Sequence, residues 1–381
     1  MKMKYCKKCL QPNTRPGVKF DENGICYACK FEEEKKNIDW DKREEELREI
    51  ANWAKETSKG PYDCIVGVSG GKDSTFQALY VKEKLGLNVL LVNSTPDNIT
   101  EIGRQNLDNL CKHGFDMINL RPNPKVAKHL AKKGFFEYGN IAKGLEIPLC
   151  ASAFIIADKF DIPLIIEGEN AAMTLGTVET GQALDDSAYS WVDLDTIQGG
   201  RKNNLIDDTV NERDLYLFDF PNIEEMQEKG IRAIWLQYYA KEWSQVYNAE
   251  FSAARGLKGR GNEDLHELGR YRIYTALDVD WVIPNQMLKY YKFGFGFATD
   301  EACYDIREER ISREEGTWLI EEYDGKCGEK YIKEFCDYID ITVKEFWEHV
   351  DNNIVNKDLF KKDEKTGKWI PKFKIGEDFE Y

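Results

Sequence analysis

The chain has 381 residues, of which 42% are hydrophobic and 12% aromatic, and its formal net charge is −15. This composition excludes a generally disordered protein, and the negative charge provides no overall positive field for nucleic acid or anionic membranes. No apolar run approaches the roughly 18 residues of a membrane span, and the start of the chain lacks the apolar segment of a signal peptide. We therefore expect a folded cytoplasmic protein that binds neither nucleic acid nor membranes.

Two C-x-x-C pairs mark the first 35 residues. Cys6 with Cys9 and Cys26 with Cys29 are separated by sixteen residues, a spacing typical of a four-thiolate zinc site. So short a segment cannot build its own hydrophobic core and needs a metal to fold. We predict a zinc knuckle over residues 1–35, with redox-active or unliganded cysteines as the alternative.

Short apolar runs then alternate with helical patterns. A charged helical linker is predicted at 36–60. Buried strands are predicted at 62–68, 88–94, 116–120 and 162–169. Helices are predicted between them, one over 74–85 and one that begins at an Asn98 N-cap. Such alternation indicates an α/β fold with a doubly wound parallel sheet, placed at residues 61–221, that binds ligands at the carboxyl ends of its strands.

Two further regions differ from this pattern. Residues 222–381 are predicted to be a helical C-terminal region, with an exposed tail at 361–373. The segment at 176–214 lacks periodicity and is too long for a simple connection, so it is a candidate substrate loop.

The sequence "GVSGGKDS" lies where the first predicted strand of the sheet meets its helix. Gly70 and Gly71 allow backbone N–H groups to approach a ligand, and the helix start directs its positive dipole end at the same point. Lys72 adds a positive charge, and Ser69 and Ser74 can donate hydrogen bonds to phosphate oxygens. The corner is therefore predicted to bind an anion, with a glycine turn and a solvated lysine as the alternative.

Asp73 requires a separate explanation. A carboxylate repels phosphates unless a divalent cation lies between them, and Mg²⁺ is the natural mediator. The residue order also differs from that of the common P-loop, in which Ser or Thr directly follows the lysine.

This stretch resembles the S-G-G-x-D-S signature of the PP-loop ATP pyrophosphatases, also called the adenine-nucleotide alpha hydrolase-like family. The resemblance implies that the loop binds the pyrophosphate portion of ATP, with Lys72 and Asp73 as catalytic residues and Asp73 as a magnesium ligand. It also implies adenine or ribose contacts at Asn93 and Ser94, after the second strand of the sheet. Glu169 could share the magnesium. Plain strand ends are the alternative for these last three residues.

Four motifs are spread along nearly the whole chain: the knuckle, the SGGKDS loop, "EGENAA", and "KFGFGFATDEACYDIREERISREEG" at 292–316. Together they resemble the N-acetyl sugar amidotransferase family (WbpG/PseA-like). The resemblance implies an enzyme that uses ATP, Mg²⁺ and a structural Zn²⁺ to convert the acetamido group of a bacterial surface sugar into an acetamidino group, with release of AMP and pyrophosphate. The sugar would be a nonulosonic acid such as pseudaminic acid, or an O-antigen sugar. Lys292 and Arg307 are candidates for further phosphate contacts, with surface charges on a helix as the alternative.

The ammonia for this reaction needs a source. Residue 2 is Lys, and no G-x-C-x-G elbow with a histidine partner is present, so we predict no glutaminase in this chain. The resemblance implies separate partner subunits similar to the glutaminase and cyclase subunits of imidazole glycerol phosphate synthase. Free ammonium could replace them at high concentration.

The long loop offers polar groups for a sugar. Trp191 is a candidate stacking platform, and Asp185 and Asp186 are candidate acceptors for sugar hydroxyls. Arg201 and Lys202 could bind a sugar carboxylate. Ordinary loop residues are the alternative for all five.

A PP-loop tRNA thiolation enzyme is the alternative function, because some of these enzymes combine the loop with zinc-binding cysteines. Thiolation needs a reactive cysteine, and Cys150 in the apolar stretch "IPLCASAF" fits a buried thiol better. A scaffold without enzymatic activity would leave Lys72 and Asp73 unexplained.

Overall fold

The computed structural model describes residues 2–177, 186–193 and 204–381. Within them the strands are β1 (Lys2–Met3), β2 (Cys64–Gly67), β3 (Val89–Ser94), β4 (Asp116–Leu120), β5 (Leu164–Glu167), β6 (Arg232–Trp235), β7 (Phe360–Lys362), β8 (Trp369–Pro371) and β9 (Phe379–Glu380). The helices are α1 (Tyr27–Glu34), α2 (Trp40–Thr57), α3 (Lys72–Leu85), α4 (Glu101–Lys112), α5 (Pro124–Lys133), α6 (Glu146–Phe160), α7 (Ala171–Leu175), α8 (Ile223–Glu228), α9 (Leu236–Tyr239), α10 (Gln245–Ala253), α11 (Leu265–Leu268), α12 (Val282–Phe293), α13 (Phe297–Arg307), α14 (Arg313–Tyr323), α15 (Glu329–Ile339) and α16 (Val343–His349). Among these described residues, every helix is too short or too polar to span a lipid bilayer.

A five-stranded sheet with the order β4-β3-β2-β5-β6 forms the centre of the molecule. All neighbouring strands are parallel, and Cys64 of β2 lies opposite Val89 of β3 on one side and Leu164 of β5 on the other. The chain builds the sheet outward from β2 through β3 and β4, and then crosses to the other side for β5 and β6. The predicted α/β fold with a parallel sheet is therefore confirmed, and the strand order reverses between β2 and β5.

Side chains of β2 alternate between two hydrophobic cores. Cys64 and Val66 pack with α2 and α3 on one face, whereas Ile65 packs with α6 on the other. Helices therefore cover both faces of the sheet, as the nearly continuous apolar sequence of its strands requires. The predicted linker helix is part of this packing, because α2 contributes Leu47 and Ile50 to the first core.

Two boundaries differ from the sequence prediction. The sheet continues past residue 221, because β6 (Arg232–Trp235) pairs with β5 as its fifth strand. The four residues of β6 are too few to show the alternating pattern of a strand, because helices α8 and α9 flank them in the sequence. At α4, Thr100 rather than Asn98 is the N-cap, since its side chain accepts a hydrogen bond from the backbone N–H of Gly103.

A separate aromatic core holds the C-terminal helices together, and the predicted tail at 361–373 forms most of a hairpin beside this core. β7 and β8 form an antiparallel hairpin, and the last strand, β9, pairs with β1 at the start of the chain. Phe360 and Phe373 are buried in this core with their ring centroids 5.7 Å apart. Most residues of the segment 361–373 are exposed, as predicted, and Phe373 anchors its end in the core.

The N-terminal knuckle contacts both parts of the molecule. The backbone N–H of Lys19 donates to the carbonyl of Gly176, just after α7, at 3.0 Å. On its other side, the cysteines of the knuckle pack with Cys303 and Ile306 of α13. The knuckle therefore joins the region after β5 to the C-terminal helices.

Candidate active site and metal centre

The loop between β2 and α3 lies at the point where the strand order reverses. β2 ends at Gly67, and α3 begins at Lys72 with Gly71 as its N-cap. In open α/β sheets, ligands bind at the carboxyl ends of the strands at this position. The residues between Gly67 and Lys72 therefore occupy the place where a ligand is expected.

Position 70 requires glycine for two reasons, its backbone conformation and the close approach of Gly103. Its φ is +86°, and a Cβ at this position would lie 2.6 Å from the carbonyl oxygen of Gly103 in α4. The side-chain amide of Asn106, also in α4, donates to the carbonyl of Gly70 at 2.9 Å. The loop is thus pressed against α4, and only glycine fits at this point of contact.

Two serine hydroxyl groups stabilise the conformation of the loop by accepting hydrogen bonds from its backbone N–H groups. Ser69 Oγ accepts from the backbone N–H of Gly71 at 3.3 Å, and Ser74 Oγ accepts from the backbone N–H of Ser69 at 3.3 Å. Asn93 is buried and donates to the carbonyl of Val68 at 2.7 Å. Asn93, predicted to contact the nucleotide, therefore braces the loop in this structure.

Lys72 and Asp73 form an ion pair at the start of α3. Lys72 Nζ lies 2.6 Å from Asp73 Oδ2, and only 6% of Lys72 is exposed. Asn248 of α10 donates to the other carboxylate oxygen at 2.8 Å, and Ser252 donates to the carbonyl of Lys72 at 2.9 Å. Side chains of α10 therefore orient the carboxylate of Asp73 and hold the backbone of Lys72.

A cavity of about 300 Å³ opens in front of the loop, and we call it the loop cavity. Ser69, Gly71, Lys72 and Asp73 line one side of it, and Glu169, two residues beyond β5, lies beside them. The opposite wall comes from the C-terminal region and includes Arg272, Tyr274, Thr275, Asp278, Phe297, Asp300, Glu301 and Tyr304. The loop and the C-terminal helices thus enclose one space.

The structure brings together the two predicted magnesium ligands, Asp73 and Glu169, in this cavity. The hydroxyl of Tyr304 donates to Glu169 Oε1 at 2.7 Å and orients the carboxylate. Within the described part of the chain, three acidic, histidine or cysteine ligands converge only at the four N-terminal cysteines. Magnesium commonly uses one or two carboxylates together with water and substrate phosphates, so this pair fits the ion when a nucleotide is also bound.

Glu301 shapes the opposite wall of the loop cavity. Its carboxylate accepts from the backbone N–H groups of Tyr271 at 3.2 Å and Arg272 at 3.3 Å, and from the hydroxyl of Thr275 at 2.8 Å. These bonds fold the segment that precedes α12 against α13. Arg272 in turn donates to Asp305 at 2.5 Å, so its position is fixed as well.

Two predicted site residues of the motif at 292–316 lie outside the loop cavity. Neither Lys292 nor Arg307 lines the loop cavity. Lys292 donates to the carbonyl of Tyr138 at 2.7 Å, and the guanidinium of Arg307 stacks on Tyr304 at 4.6 Å from the ring centroid. The residues that face the cavity are Phe297, Asp300, Glu301 and Tyr304. Their spacing of i, i+3, i+4 and i+7 marks one face of a helix, a signal that could have identified them.

Asp300 links the cavity to the knuckle. Lys289 donates to its Oδ2 at 2.7 Å, and Arg15 of the knuckle forms an ion pair with its Oδ1. Burial would raise the pKa of Asp300, but the charges of Arg15 and Lys289 outweigh it and hold the pKa below its ordinary value. The carboxylate therefore stays ionised and ties α13 to both cations.

A second cavity, of about 180 Å³, lies at the ends of β3 and β4, and we call it the strand-end pocket. Its walls are largely apolar and include Ser94, Thr95, Pro96, Pro122, Glu146, Pro148, Leu149, Phe218, Val279 and Trp281. Ser94, predicted to contact the nucleoside, is thus in a pocket. Burial raises the pKa of Glu146 to about 7, an effect that the charges of Lys143 and Lys289 partly oppose.

Trp191 is partly buried and packs against the hydrophobic core beside the sheet. Its ring packs against Trp235 with centroids 5.1 Å apart, and it neighbours Glu167 at the end of β5. Burial raises the pKa of Glu167 to about 8, and Trp191 partly offsets this rise. Trp191 does not line either cavity, so the structure gives it a packing role in place of the predicted sugar platform.

Asp186, another predicted sugar residue, does not line the loop cavity. Asp186 accepts from Arg232 at 2.6 Å and from the hydroxyl of Tyr239, in a depression on the side of β6. Asp185, Arg201 and Lys202 lie outside the described residues.

The four cysteine sulfurs of the knuckle lie within 4.8 Å of one another. Cys6 and Cys29 are 3.8 Å apart, and Cys9 and Cys26 are 3.7 Å apart. A regular tetrahedron with zinc–sulfur distances of about 2.3 Å has edges of about 3.8 Å, so the cluster fits a zinc ion. The backbone N–H of Cys26 also donates to Cys6 Sγ at 3.2 Å, an interaction that stabilises a thiolate. This buried cluster could hold a structural zinc ion.

Cys150 has the environment of a core thiol. It is 6% exposed, and burial raises its pKa well above the usual value. Such a thiol is a poor nucleophile.

Residues 269–374 match a family model described as the C-terminal domain of WbpG-like LPS biosynthesis proteins. This part of the chain is similar to the C-terminal domain of that family, and we call it the WbpG-like domain. The domain contains every residue of the wall that faces the loop, from Arg272 to Tyr304. The predicted resemblance to WbpG-like proteins is thus confirmed by a match independent of the loop. No curated protein matches the sequence significantly.

The knuckle should depend on all four thiolates. We expect Cys26→Ser to lose the bound zinc, about one ion per chain, and to lower the melting temperature, because a structural metal contributes directly to folding. Metal analysis and thermal unfolding test this. Cys111→Ser, at an exposed cysteine of α4, is the control and should change neither quantity. Equal zinc content in both variants would contradict the assignment.

Gly70→Ala should destabilise the protein by about 2 kcal/mol, because an L-residue resists the positive φ and its Cβ would collide with Gly103. Urea unfolding measures the difference. Gly261→Ala is the matched control, since no atom lies within 4 Å of its added Cβ. Equal stability of the two variants would show that the loop is not held against α4.

Glu167→Gln should become stabilising as the pH rises. The pKa of Glu167 is about 8 in the folded chain and about 4.3 in an unfolded one, so the folded state binds the proton more tightly. Its contribution to stability is present below about pH 4 and is lost as the pH rises to about 8, by about 1.4 kcal/mol for each pH increment of one. Gln mimics the protonated form and avoids this loss.

Urea unfolding at pH 5 and pH 9 measures the effect of this substitution. The free energy of unfolding of Glu167→Gln relative to wild type should be larger at pH 9 than at pH 5. The exposed Glu56→Gln variant should follow the wild type at both values. A pH-independent difference for Glu167→Gln would refute the prediction.

Proposed function

We propose that this chain is an ATP-dependent N-acetyl sugar amidotransferase of the PP-loop ATP pyrophosphatase type, acting in bacterial surface-sugar biosynthesis. The observation that carries the proposal is the loop cavity, in which the SGGKDS loop faces the WbpG-like domain. The loop supplies groups suited to phosphates, and the domain links the same space to LPS biosynthesis proteins. The buried Cys150 weighs against the alternative, a tRNA thiolation enzyme.

ATP fits the two cavities as a single ligand. Its phosphates would contact Lys72 and the backbone N–H groups at the start of α3, which provide charge and aligned donors. Its base would enter the apolar strand-end pocket beside Ser94. Asp73 and Glu169 would hold Mg²⁺, which neutralises phosphate charge when bound.

The proposed reaction has two bond exchanges. The acetamido carbonyl oxygen attacks the α-phosphorus of ATP, and the bond from that phosphorus to pyrophosphate breaks. Ammonia then adds to the activated carbon, the carbon–oxygen bond breaks, and AMP leaves with the former carbonyl oxygen while a proton is released. Lys72 would stabilise the negative charge that builds on the departing pyrophosphate.

Ammonia would come from a separate glutaminase subunit, or from free ammonium at high concentration. The acceptor would be an acetamido sugar, of which di-N-acetylated nonulosonic acids such as pseudaminic acid are our first choice. Its site would adjoin the loop cavity, because the carbonyl must reach the α-phosphorus.

Lys72→Met should lower ATP-dependent turnover at least about 100-fold, since it removes a charge that acts on the transition state. Lys84→Met is the matched control, because Lys84 is an exposed residue of the same helix. Release of AMP and pyrophosphate, followed with Mg-ATP, ammonium and the sugar, provides the measurement. Equal turnover in the two variants would remove Lys72 from the mechanism.

Mass spectrometry of the sugar product tests the reaction itself. We expect a product in which one oxygen is replaced by an NH group, formed in step with AMP. Formation of AMP with a different acceptor only would preserve the activation chemistry and reject the sugar. Turnover by the purified chain with glutamine as the only nitrogen source would refute the requirement for a partner.

A further inference from the structure

The loop cavity and the strand-end pocket meet at one residue. Within the described chain, Asp278 is the residue common to the linings of both spaces. It belongs to the WbpG-like domain and not to the α/β sheet. A ligand that extends from one space to the other must therefore pass this residue.

The backbone of Asp278 is clamped against the start of α4. Its carbonyl accepts from the backbone N–H of Thr100 at 2.8 Å, and its neighbour Val279 forms a β-bridge with Ile99. A Cβ added to Gly103 would lie 2.8 Å from its Cα. This contact explains why α4 carries glycine at that position, and it fixes Asp278 relative to the loop that packs on the same helix.

The carboxylate of Asp278 has no side-chain partner among the described residues, where only backbone N–H groups favour its charge by hydrogen bonding. Burial raises its pKa to about 6, and the charge of Arg260 opposes this rise. The group is therefore mostly ionised at neutral pH, and a carboxylate has enough lone pairs to accept further hydrogen bonds beside those from the backbone N–H groups.

We propose that Asp278 binds the ribose hydroxyls of ATP and so selects a ribonucleotide. The inference rests on the proposed function. In ATP the ribose lies between the base and the α-phosphate, so a base in the strand-end pocket and phosphates in the loop cavity place the sugar at Asp278. A carboxylate accepts hydrogen bonds from two vicinal hydroxyls, and acidic residues bind ribose in this way in dinucleotide-binding folds.

The test compares ATP with 2′-deoxy-ATP and 3′-deoxy-ATP by calorimetric titration in Mg²⁺. Wild type should bind each deoxynucleotide about 10-fold more weakly than ATP, because a hydrogen bond to a charged group is lost. Asp278→Ala should bind ATP more weakly and should bind all three nucleotides with nearly equal affinity. Asp278→Asn, which preserves the shape, should reduce the discrimination and provides the test if the alanine variant does not fold.

Asp280→Asn is the control in the same segment. Asp280 pairs with Arg260 at 2.6 Å and does not line either cavity. This variant should discriminate between the nucleotides as wild type does. Loss of discrimination in Asp280→Asn as well would attribute the effect to the segment and overturn the role of Asp278.

The outcomes separate the two proposals. Failure of wild type to bind any of the three nucleotides would reject the proposed function and this inference with it. If ATP binds but both Asp278 variants retain the wild-type preference, the inference is wrong and the proposed function stands. If wild type binds the two deoxynucleotides as tightly as ATP, the inference is also wrong and the proposed function still stands.

Discussion

The packing of the four-cysteine knuckle between the sheet and the C-terminal helices holds the two sides of the loop cavity in place. On the side of the sheet, the backbone N–H of Lys19 in the knuckle donates a hydrogen bond to the carbonyl of Gly176, in the segment that follows Glu169. On the other side, it packs on α13 and pairs Arg15 with Asp300. Because α13 carries the wall that faces the loop, the spacing of the cavity depends on a segment that has no core of its own. A structural metal at the start of the chain would thus support chemistry at its centre.

The charged residues of the loop cavity suit a negatively charged ligand that binds together with a divalent cation. Among the described residues, the space has only Lys72 and Arg272 as cations, and its acidic lining residues are Asp73, Glu169, Asp278, Asp300 and Glu301. The lysine is paired with Asp73, and the arginine is paired with Asp305. An anion would be repelled by this surface unless a divalent cation came with it, which suits a magnesium nucleotide better than a free phosphate. The electrostatics and the loop geometry therefore favour the same class of ligand.

The two parts of the molecule contribute different properties to the site. The sheet and its loop offer aligned N–H groups, a lysine and a carboxylate, which serve phosphate chemistry in general. The WbpG-like domain shapes the site: Tyr304 orients Glu169, Glu301 holds the opposite wall in place, and Asp278 lines both spaces. Selection of nucleotide and sugar would then depend mainly on the domain, whereas activation of the carbonyl would depend on the loop.

The sequence by itself determined the features that depend on neighbours along the chain. Four strands of the sheet, the glycine corner at 67–74 and the cysteine spacing follow from local periodicity and stereochemistry, and each lies where it was predicted within a few residues. Only the tertiary structure decided which face of α13 meets the loop, that Arg307 stacks on Tyr304, that β6 extends the sheet, and that Asp278 joins the two spaces. These outcomes depend on packing between segments up to about two hundred residues apart, and such packing leaves no periodic trace in the local sequence.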